Sequence, residues 1–282
     1  MLTSYQNLLV AVDGSLASLH AVEAACRLAP SGLVVAAVAP PLQPAGRGGK
    51  LLPPLSLESA SQALEKAQGI AAYHHRPIEA VALGGEPHAR LVDLAKERGC
   101  DLIVMGRKGA ARPDKALMGS TVARVIGFAP LDVLVVPTEA KGELKRILVP
   151  LDGSRFSKEA LTRALALAGE QQGELLAVSV LDAPASFTHE VPDVAQEILA
   201  GLEKLVGDAA SKAAAQGVPC HTGVYQGSAY RAIVDAAGQN QADLIVMGSH
   251  GRTGLKRLLM GSVTERVIGY APCAVLVVKV RR

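Results

Sequence analysis

The sequence predicts an α/β fold of two tandem open-sheet domains, each a parallel sheet with helices on both of its faces. Short apolar runs alternate with segments of helical periodicity, which is the pattern of parallel strands joined by helical crossovers. The chain has 282 residues, of which 49% are hydrophobic and 20% charged, so it can bury two cores of ordinary size. The same order of elements also occurs twice along the chain.

The first half opens with an apolar strand at residues 7–12, which ends in the acidic turn Asp13-Gly14-Ser15. Residues 18–28 have apolar side chains at helical spacing and predict a helix packed on that strand. The run 33–39 shows no alternation of apolar and polar residues, which indicates a strand buried on both faces. The segment 40–54 is rich in Pro and Gly and predicts a flexible connection.

The rest of the first half continues the alternation of helices and strands. It predicts a helix over 56–73, a strand over 78–83, a helix over 87–98, a strand over 101–105, a glycine loop, a short helix after Gly119 and a last strand over 132–136. The unit therefore has the order β-α-β-α-β-α-β-α-β. Right-handed crossovers would place its helices on both faces of one parallel sheet.

The second half repeats the first almost in register. The opening strand recurs 139 positions later (152 − 13) within Arg146–Ser154. The segment Asp101–Gly106 recurs unchanged 142 positions later (248 − 106) as Asp243–Gly248. So small a drift indicates one domain duplicated in tandem. We place the first domain at residues 1–139 and the second at residues 140–282.

The composition argues against several classes of partner. The net charge is +3 with Lys and Arg spread along the chain, and only 3% of residues are aromatic, so no nucleic-acid partner and no membrane surface are expected. The first residues lack the basic region of a signal peptide, and no apolar run approaches the roughly 18 residues that span a bilayer. A cytoplasmic location is expected, and the four widely spaced cysteines are predicted to be buried, reduced thiols.

The most distinctive pattern is a Gly-x2-Gly-x9-Gly-Ser loop that joins an apolar strand to a helix in both halves. Its first glycine is Gly106 or Gly248, and the Gly-Ser pair that opens the helix begins at Gly119 or Gly261. We expect the first two glycines of each loop to adopt positive φ and to gather backbone N–H groups at one point. With the positive end of the helix dipole, these groups predict a phosphate site.

A carboxylate is predicted beside each loop. Asp13 and Asp152 end the first strand of their halves, and open parallel sheets bind ligands beyond the carboxyl ends of their strands. A carboxylate that accepts from ribose hydroxyls or a base amino group, a phosphate loop, and apolar walls at Val178 and Met247 together predict a nucleotide site. Each feature also has a plainer interpretation, since an Asp-Gly-Ser turn alone is more often an Asx turn or a helix cap.

Other chemistries find no support in the sequence. It contains no Gly-x4-Gly-Lys-Ser/Thr P-loop, no Gly-x-Gly-x-x-Gly after the first strand and no Gly-x-Ser-x-Gly nucleophile elbow. The adjacent pair His74-His75 does not have the spacing of a zinc site. We therefore predict no catalytic residues and no metal held by protein side chains.

The chain resembles a tandem universal stress protein. The features that carry the resemblance are Val12–Ser15, Leu151–Ser154 and the two glycine loops, whose pattern is specific to the ATP-binding branch of that family. The resemblance implies a five-stranded parallel sheet in each domain, with a Rossmann-like fold of the adenine nucleotide alpha hydrolase type. It also implies a dimer-like pairing of the domains through their last strands. In this protein the two paired domains would belong to one chain, and two such chains could in addition form a homodimer.

The resemblance further implies that the ligand is ATP, with Mg²⁺ held mostly by the phosphates and by water. In the second domain the implied contacts with base, ribose and phosphates are Pro150, Leu151, Asp152, Val178, Met247, Gly248, Gly251, Gly261, Ser262 and Val263. The matching positions in the first domain are Ala11, Val12, Asp13, Ala37, Met105, Gly106, Gly109, Gly119, Ser120 and Thr121.

The two loops differ, and the second site is predicted to bind more tightly. Pro113 and Asp114 interrupt the first loop, and proline removes a backbone donor and restricts its neighbour. Ser262 and Glu265 have the spacing of a capping box, a reciprocal bond worth on the order of 1 kcal/mol that the first half lacks.

Three functions remain open at this stage. The first is an ATP-binding stress-response regulator whose nucleotide state controls its conformation or its protein partner, which the sequence does not identify. The second is a slow ATP hydrolase or phosphotransferase, although no Glu or Gln is obviously placed to orient an attacking water. The third is an interaction module whose nucleotide sites are vestigial.

Overall fold

The chain folds into two units that can be described separately. The computed structural model describes residues 5–28, 32–41, 57–109, 118–140, 144–184, 186–251 and 260–280. Two compact units cover Thr3–Gly142 and Glu143–Arg282. Most of the segment 40–54 lies outside the described residues, as do Pro113 and Asp114. The domain boundary after residue 139 stays a prediction.

The first unit alternates strands and helices from end to end. Its elements are β1 Asn7–Ala11, α1 Leu16–Leu28, β2 Gly32–Ala39, α2 Leu57–Tyr73, β3 Glu79–Gly84, α3 Pro87–Glu97, β4 Leu102–Gly106, α4 Ser120–Phe128 and β5 Asp132–Val136. Neighbouring strands are parallel and lie in the order β3-β2-β1-β4-β5. The first helix begins at Leu16, one turn after β1, two residues earlier than predicted.

The second unit repeats this arrangement. Its elements are β6 Arg146–Pro150, α5 Arg155–Gln171, β7 Glu174–Leu181, α6 Phe187–Glu190, α7 Pro192–Ala214, β8 Cys220–Gln226, α8 Ala229–Gln239, β9 Leu244–Gly248, α9 Ser262–Tyr270 and β10 Ala274–Val278. Its parallel strands lie in the order β8-β7-β6-β9-β10. The short helix α6 and the 23-residue helix α7 fill the crossover between β7 and β8.

The central strands explain why this sequence forms parallel sheets. Leu8, Leu9 and Val10 of β1 are all buried, so successive side chains are covered on opposite faces of the sheet. The equivalent strand β6 is buried in the same way along Ile147–Val149. Helices on both faces of each sheet cover these side chains. The predicted five-stranded parallel sheet of each domain is confirmed.

The strand order identifies the edge at which a ligand is expected. The chain runs outward from β1 to β2 and β3, and then crosses back to β4 on the other side of β1. The same reversal occurs between β6 and β9. In open parallel sheets, the loops at the carboxyl ends of such strands diverge from one another, so a ligand is expected at this edge.

Other sequence predictions can be checked in the described residues. Cys26, Cys100 and Cys273 are buried free thiols as predicted, whereas Cys220 is partly exposed. Burial raises the pKa of Cys100 to about 11 and that of Cys273 to about 12. Within the described ranges, no helix has the length and apolar character needed to cross a membrane.

Candidate functional site

Each candidate site begins with the turn that follows the first strand of its unit. The backbone N–H of Ser15 donates to Asp13 Oδ1 at 3.0 Å, and that of Ser154 donates to Asp152 Oδ1 at the same distance. The intervening Gly14 has a φ of 81°, a left-handed conformation that favours glycine. The plainer interpretation of Asp-Gly-Ser as an Asx turn is therefore correct. This turn fixes the position of Oδ1 in each aspartate.

The second carboxylate oxygen lies against the glycine loop. A Cβ added to Gly251 would be 2.9 Å from Asp152 Oδ2, and one added to Gly109 would collide with Asp13 Oδ2. Glycine at this loop position therefore lets the backbone approach the carboxylate closely. The structure brings together the carboxylate and the loop that the sequence had predicted separately, and it does so in both domains.

The first glycine of each loop has a different purpose. A Cβ on Gly248 would be 2.6 Å from Cβ of Phe156 and 2.9 Å from its carbonyl carbon, and a Cβ on Gly106 would be 2.6 Å from the backbone of Ala17 and Ser18. These glycines let α1 and α5 pack directly on the ends of β4 and β9.

The expectation of positive φ at the first two glycines of each loop was wrong. Gly106, Gly109, Gly248 and Gly251 are not in the left-handed region. They are needed for close approach of backbone, helix and carboxylate. Positive φ is found instead in the Asp-Gly-Ser turns, at Gly14 and Gly153.

The far end of each loop returns to its beginning. The N–H of Gly119 donates to the carbonyl of Arg107 at 2.9 Å, and the N–H of Gly261 donates to that of Ser249 at the same distance. These bonds hold the start of α4 and α9 beside the end of the preceding strand. The first N–H groups of a nine-residue helix are thereby brought to the same edge as the carboxylate.

The capping box predicted in the second loop is absent. The N-cap of α9 is Gly261, which has no side chain to act as a cap, so Ser262 is the first helical residue. The spacing of Ser262 and Glu265 therefore does not produce the reciprocal bond. The helix is tied to the loop in another way, because buried Thr264 donates its hydroxyl to the carbonyl of Gly248 at 3.0 Å.

The apolar residues predicted to surround the base are part of the core. Ala37, Val178, Met105 and Met247 are all buried, and Val178 accepts a hydrogen bond from Leu151 N at 2.7 Å. Among the other predicted residues, Val12 and Leu151 are buried, Ala11, Pro150, Gly119, Thr121 and Val263 are half-buried, and Ser120 is exposed.

The register corrects one predicted equivalence. Val178 pairs with Pro150, and the matching residue Ala11 pairs with Ala36. Ala36, and not Ala37, therefore occupies the position of Val178 in the first domain. A shift of one residue moves a side chain to the other face of a strand, which is why sequence spacing alone was insufficient.

The two loops differ in the residues between their glycines. The side chain of Arg107 is largely buried and pairs with Glu139 at 3.1 Å. In the second loop, Ser249 is buried and its hydroxyl lies 3.2 Å from Nδ1 of His250, whose ring is 5.5 Å from that of Phe156. The sequence reasoning did not select His250 or Phe156. A signal was available, because Phe156 lies two residues after the N-cap Ser154, where the first domain has Ala17.

The described part of the chain contains no cluster of three or more His, Cys, Asp or Glu side chains able to hold a metal ion. Each edge combines a carboxylate, a close-approach glycine and a helix N-terminus. This combination can bind a polar group and an anion a few ångströms apart.

Comparisons with known proteins agree with this architecture. The model of the universal stress protein family matches the chain twice, at residues 4–137 and 143–279. The chain belongs to the universal stress protein family. The universal stress protein MJ0531 of Methanocaldococcus jannaschii is 42% identical over 140 residues, which are 48% of this chain and 82% of that protein. YxiE of Bacillus subtilis is 34% identical over 145 residues, 48% of this chain and 98% of that protein.

A solved structure shows the same fold over nearly the whole length. A universal stress protein from Archaeoglobus fulgidus matches with a TM-score of 0.68 and 22% identity, covering 98% of this chain and 97% of that one. Two family domains in one chain, each with a Rossmann-like parallel sheet, make this a tandem universal stress protein.

Proposed function

We propose that this tandem universal stress protein binds ATP at the carboxyl edge of each sheet and acts as a nucleotide-dependent regulator of the stress response. The observation that carries the proposal is the contact between the strand-end carboxylate and the glycine loop, which recurs in both domains at Asp13 with Gly109 and Asp152 with Gly251. The Asx turn uses Oδ1 of each aspartate, whereas Oδ2 lies against the glycine loop in both domains.

The chemistry of the edge fits a nucleotide. The N-termini of α4 and α9 offer to phosphates N–H groups that have no partner within the helix, together with a positive dipole end. The carboxylate is suited to accept hydrogen bonds from ribose hydroxyls or from a base amino group. Mg²⁺ would be held by phosphate oxygens and water, and it would offset the charge of the phosphates.

The first experiment identifies the ligand. The purified chain is denatured and the released small molecules are separated by chromatography, and in parallel the native chain is titrated with ATP and Mg²⁺ by calorimetry. We expect ATP to be released or to bind. Accumulation of ADP during incubation with ATP would indicate a slow hydrolase instead. A chain that is empty and binds no added ATP would contradict the proposal and favour an interaction module.

The second experiment locates the sites. A methyl group in Gly251→Ala would be 2.9 Å from Asp152 Oδ2 and would displace the carboxylate, and Gly109→Ala would do the same in the first domain. Loss of a hydrogen bond to a charged group is worth about 1.5–3 kcal/mol, so each variant is expected to weaken its own site by roughly 10- to 100-fold. Gly207→Ala is the control, since a Cβ there meets nothing within 4 Å.

These variants also test whether the second site is the tighter one. Gly109→Ala leaves the second site intact, and Gly251→Ala leaves the first. Because the capping box is absent, the predicted difference in ATP affinity between the two sites depends on Pro113 and Asp114 of the first loop alone. We expect the chain with the intact second site to bind ATP more tightly, and equal affinities would contradict the ranking. Pairing of the domains through their last strands, and the protein partner, stay predictions of the family resemblance.

A further inference from the structure

The amino edge of the second domain, where its parallel strands begin, contains a cavity beside the end of α8. The cavity has a volume of about 240 Å³, whereas a single water needs only about 10–15 Å³. The starts of three strands and the end of one helix supply its lining, which includes Arg146, Glu174, Leu175, Leu176, His221 and Asn240. This edge lies opposite the carboxyl edge, so the cavity is separate from the proposed nucleotide site.

An ion pair occupies the equivalent place in the first domain. His221 and Asn240 each lie 142 positions after their counterparts Glu79 and Arg98 (221 − 79 and 240 − 98). Arg98 and Asn240 are also the C-cap residues of the equivalent helices α3 and α8. Arg98 donates from Nη2 to Glu79 Oε1 at 2.7 Å, and from Nε to Oε1 and Oε2 at 3.0 and 3.1 Å. A guanidinium of the chain itself therefore binds the carboxylate at this edge.

The second domain has a carboxylate at this edge without the guanidinium. Glu174 begins β7, and its Oε2 lies 3.8 Å from Nε2 of His221. Among the described residues, His221 is the only basic side chain that pairs with Glu174, and an imidazole carries charge only when it is protonated. Asn240 does not replace the arginine, because its Nδ2 donates to the carbonyl of Ala236 at 2.8 Å.

The other charges of the cavity are already matched within the chain. The guanidinium of Arg146 donates from Nη1 to Gln241 Oε1 at 2.9 Å, and its Nε lies 3.7 Å from Oδ2 of Asp243. The carboxylate of Asp243 is only 7% exposed and offsets the charge of Arg146. The C-terminus of α8, the negative end of the helix dipole, also lies here. The carboxylate of Glu174 and this helix end together favour a cation.

We propose that this cavity binds a small organic cation, a guanidinium or a primary ammonium group at the end of a short apolar chain. The cationic group donates hydrogen bonds to Glu174, as Arg98 does to Glu79 in the first domain. The carbon chain lies on Leu176, which is half-buried, in the way that the stem of an arginine covers apolar surface. Glu174 is 44% exposed and solvent screens the contact, so we expect a dissociation constant of about 0.1–1 mM.

A titration followed by ¹⁵N TROSY spectra of the full chain tests the proposal. The probes are n-propylguanidinium, which is the arginine side chain without its backbone, and n-propylammonium, each raised to about 20 mM. We expect saturable shifts of the amide signals at the starts of β7 and β8 and at the end of α8 for at least one cation. Propanol and propionate, of equal chain length, are expected to leave these signals unchanged. The proposal is overturned if neither cation shifts them, or if propanol shifts them equally.

Three variants test the role of the charges. Glu174→Gln keeps the shape of the side chain and removes its charge, and it should weaken binding at least about fivefold. Asn240→Arg supplies a guanidinium from the chain, as in the first domain, and should weaken binding at least about tenfold by competition. Glu203→Gln removes an exposed carboxylate of α7 and is the control, expected to bind like the wild-type chain. Unchanged binding by Glu174→Gln or Asn240→Arg, or an equal loss in the control, would overturn the proposal.

Discussion

Replacing Gly248 by alanine is expected to destabilise the second domain by a packing conflict, whether or not a ligand is bound. The new methyl group would be 2.6 Å from Cβ of Phe156, 2.9 Å from its carbonyl carbon and 3.0 Å from its carbonyl oxygen. Two of these three atoms are backbone, so the conflict cannot be relieved by a change of rotamer. Either α5 moves away from the end of β9, or the strand shifts.

The magnitude follows from the packing. Forcing an extra methyl group into a well-packed region costs about 1–3 kcal/mol. For a domain of this size, such a loss lowers the melting temperature of the second domain by roughly 3–10 °C. Gly251→Ala is a useful contrast, because among the described residues its methyl group meets only Oδ2 of Asp152, the end of a side chain that can rotate. We expect that change to shift the melting temperature by less than about 3 °C.

Differential scanning calorimetry of the full chain is the assay, because the two domains need not melt in a single transition. Gly207→Ala is the control and is expected to be neutral or slightly stabilising, since its Cβ has open space and alanine favours a helix. If Gly248→Ala melts like the wild-type chain while the helix control behaves as expected, the close-approach role of the first loop glycine is refuted.

Three further predictions concern stability. Tyr5→Phe removes a buried 2.7 Å hydrogen bond to Asp132 Oδ2 and should cost about 1.5–3 kcal/mol, measured by urea unfolding. Ser154→Ala removes the N-cap oxygen that accepts from Ser157 N and should cost about 1 kcal/mol in the same assay. Burial raises the pKa of Cys273 to about 12 from its ordinary 9.0. At pH 8 its thiolate fraction is then about one in ten thousand, so labelling should occur only as fast as unfolding. The stability contributed by its protonated thiol should be present below pH 9 and lost as pH rises toward 12. Rapid native-state labelling, or unchanged unfolding of either variant, would contradict the corresponding prediction.

The strands and the repeat were predictable because strands buried on both faces appear in the sequence as uninterrupted apolar runs. The last strand of the first unit was predicted at 132–136 and has those bounds. Its residues Val133–Val136 are all buried, and an uninterrupted apolar run between turn signals has few other interpretations. Because strands and helices alternate in the same order in both halves, a parallel sheet in each domain was the simplest topology to predict.

The internal geometry of the loops was not predictable from composition. Glycine at positions 106 and 251 was attributed to positive φ, which is its commonest use. Its actual cause is contact with α1 in one case and with Asp152 in the other, and both partners are distant in sequence. A capping box was likewise predicted from spacing, whereas the N-cap is Gly261 and the helix begins at Ser262, so that serine is not in the cap position.

A crystal structure of the chain grown with ATP and Mg²⁺ tests the central claim most directly. The account predicts nucleotide at the carboxyl edge of each sheet, with its phosphates at the N-terminus of α4 or α9 and a ribose or base group bonded to Asp13 or Asp152. Nucleotide bound elsewhere, or an edge that stays empty at millimolar ATP, would contradict it.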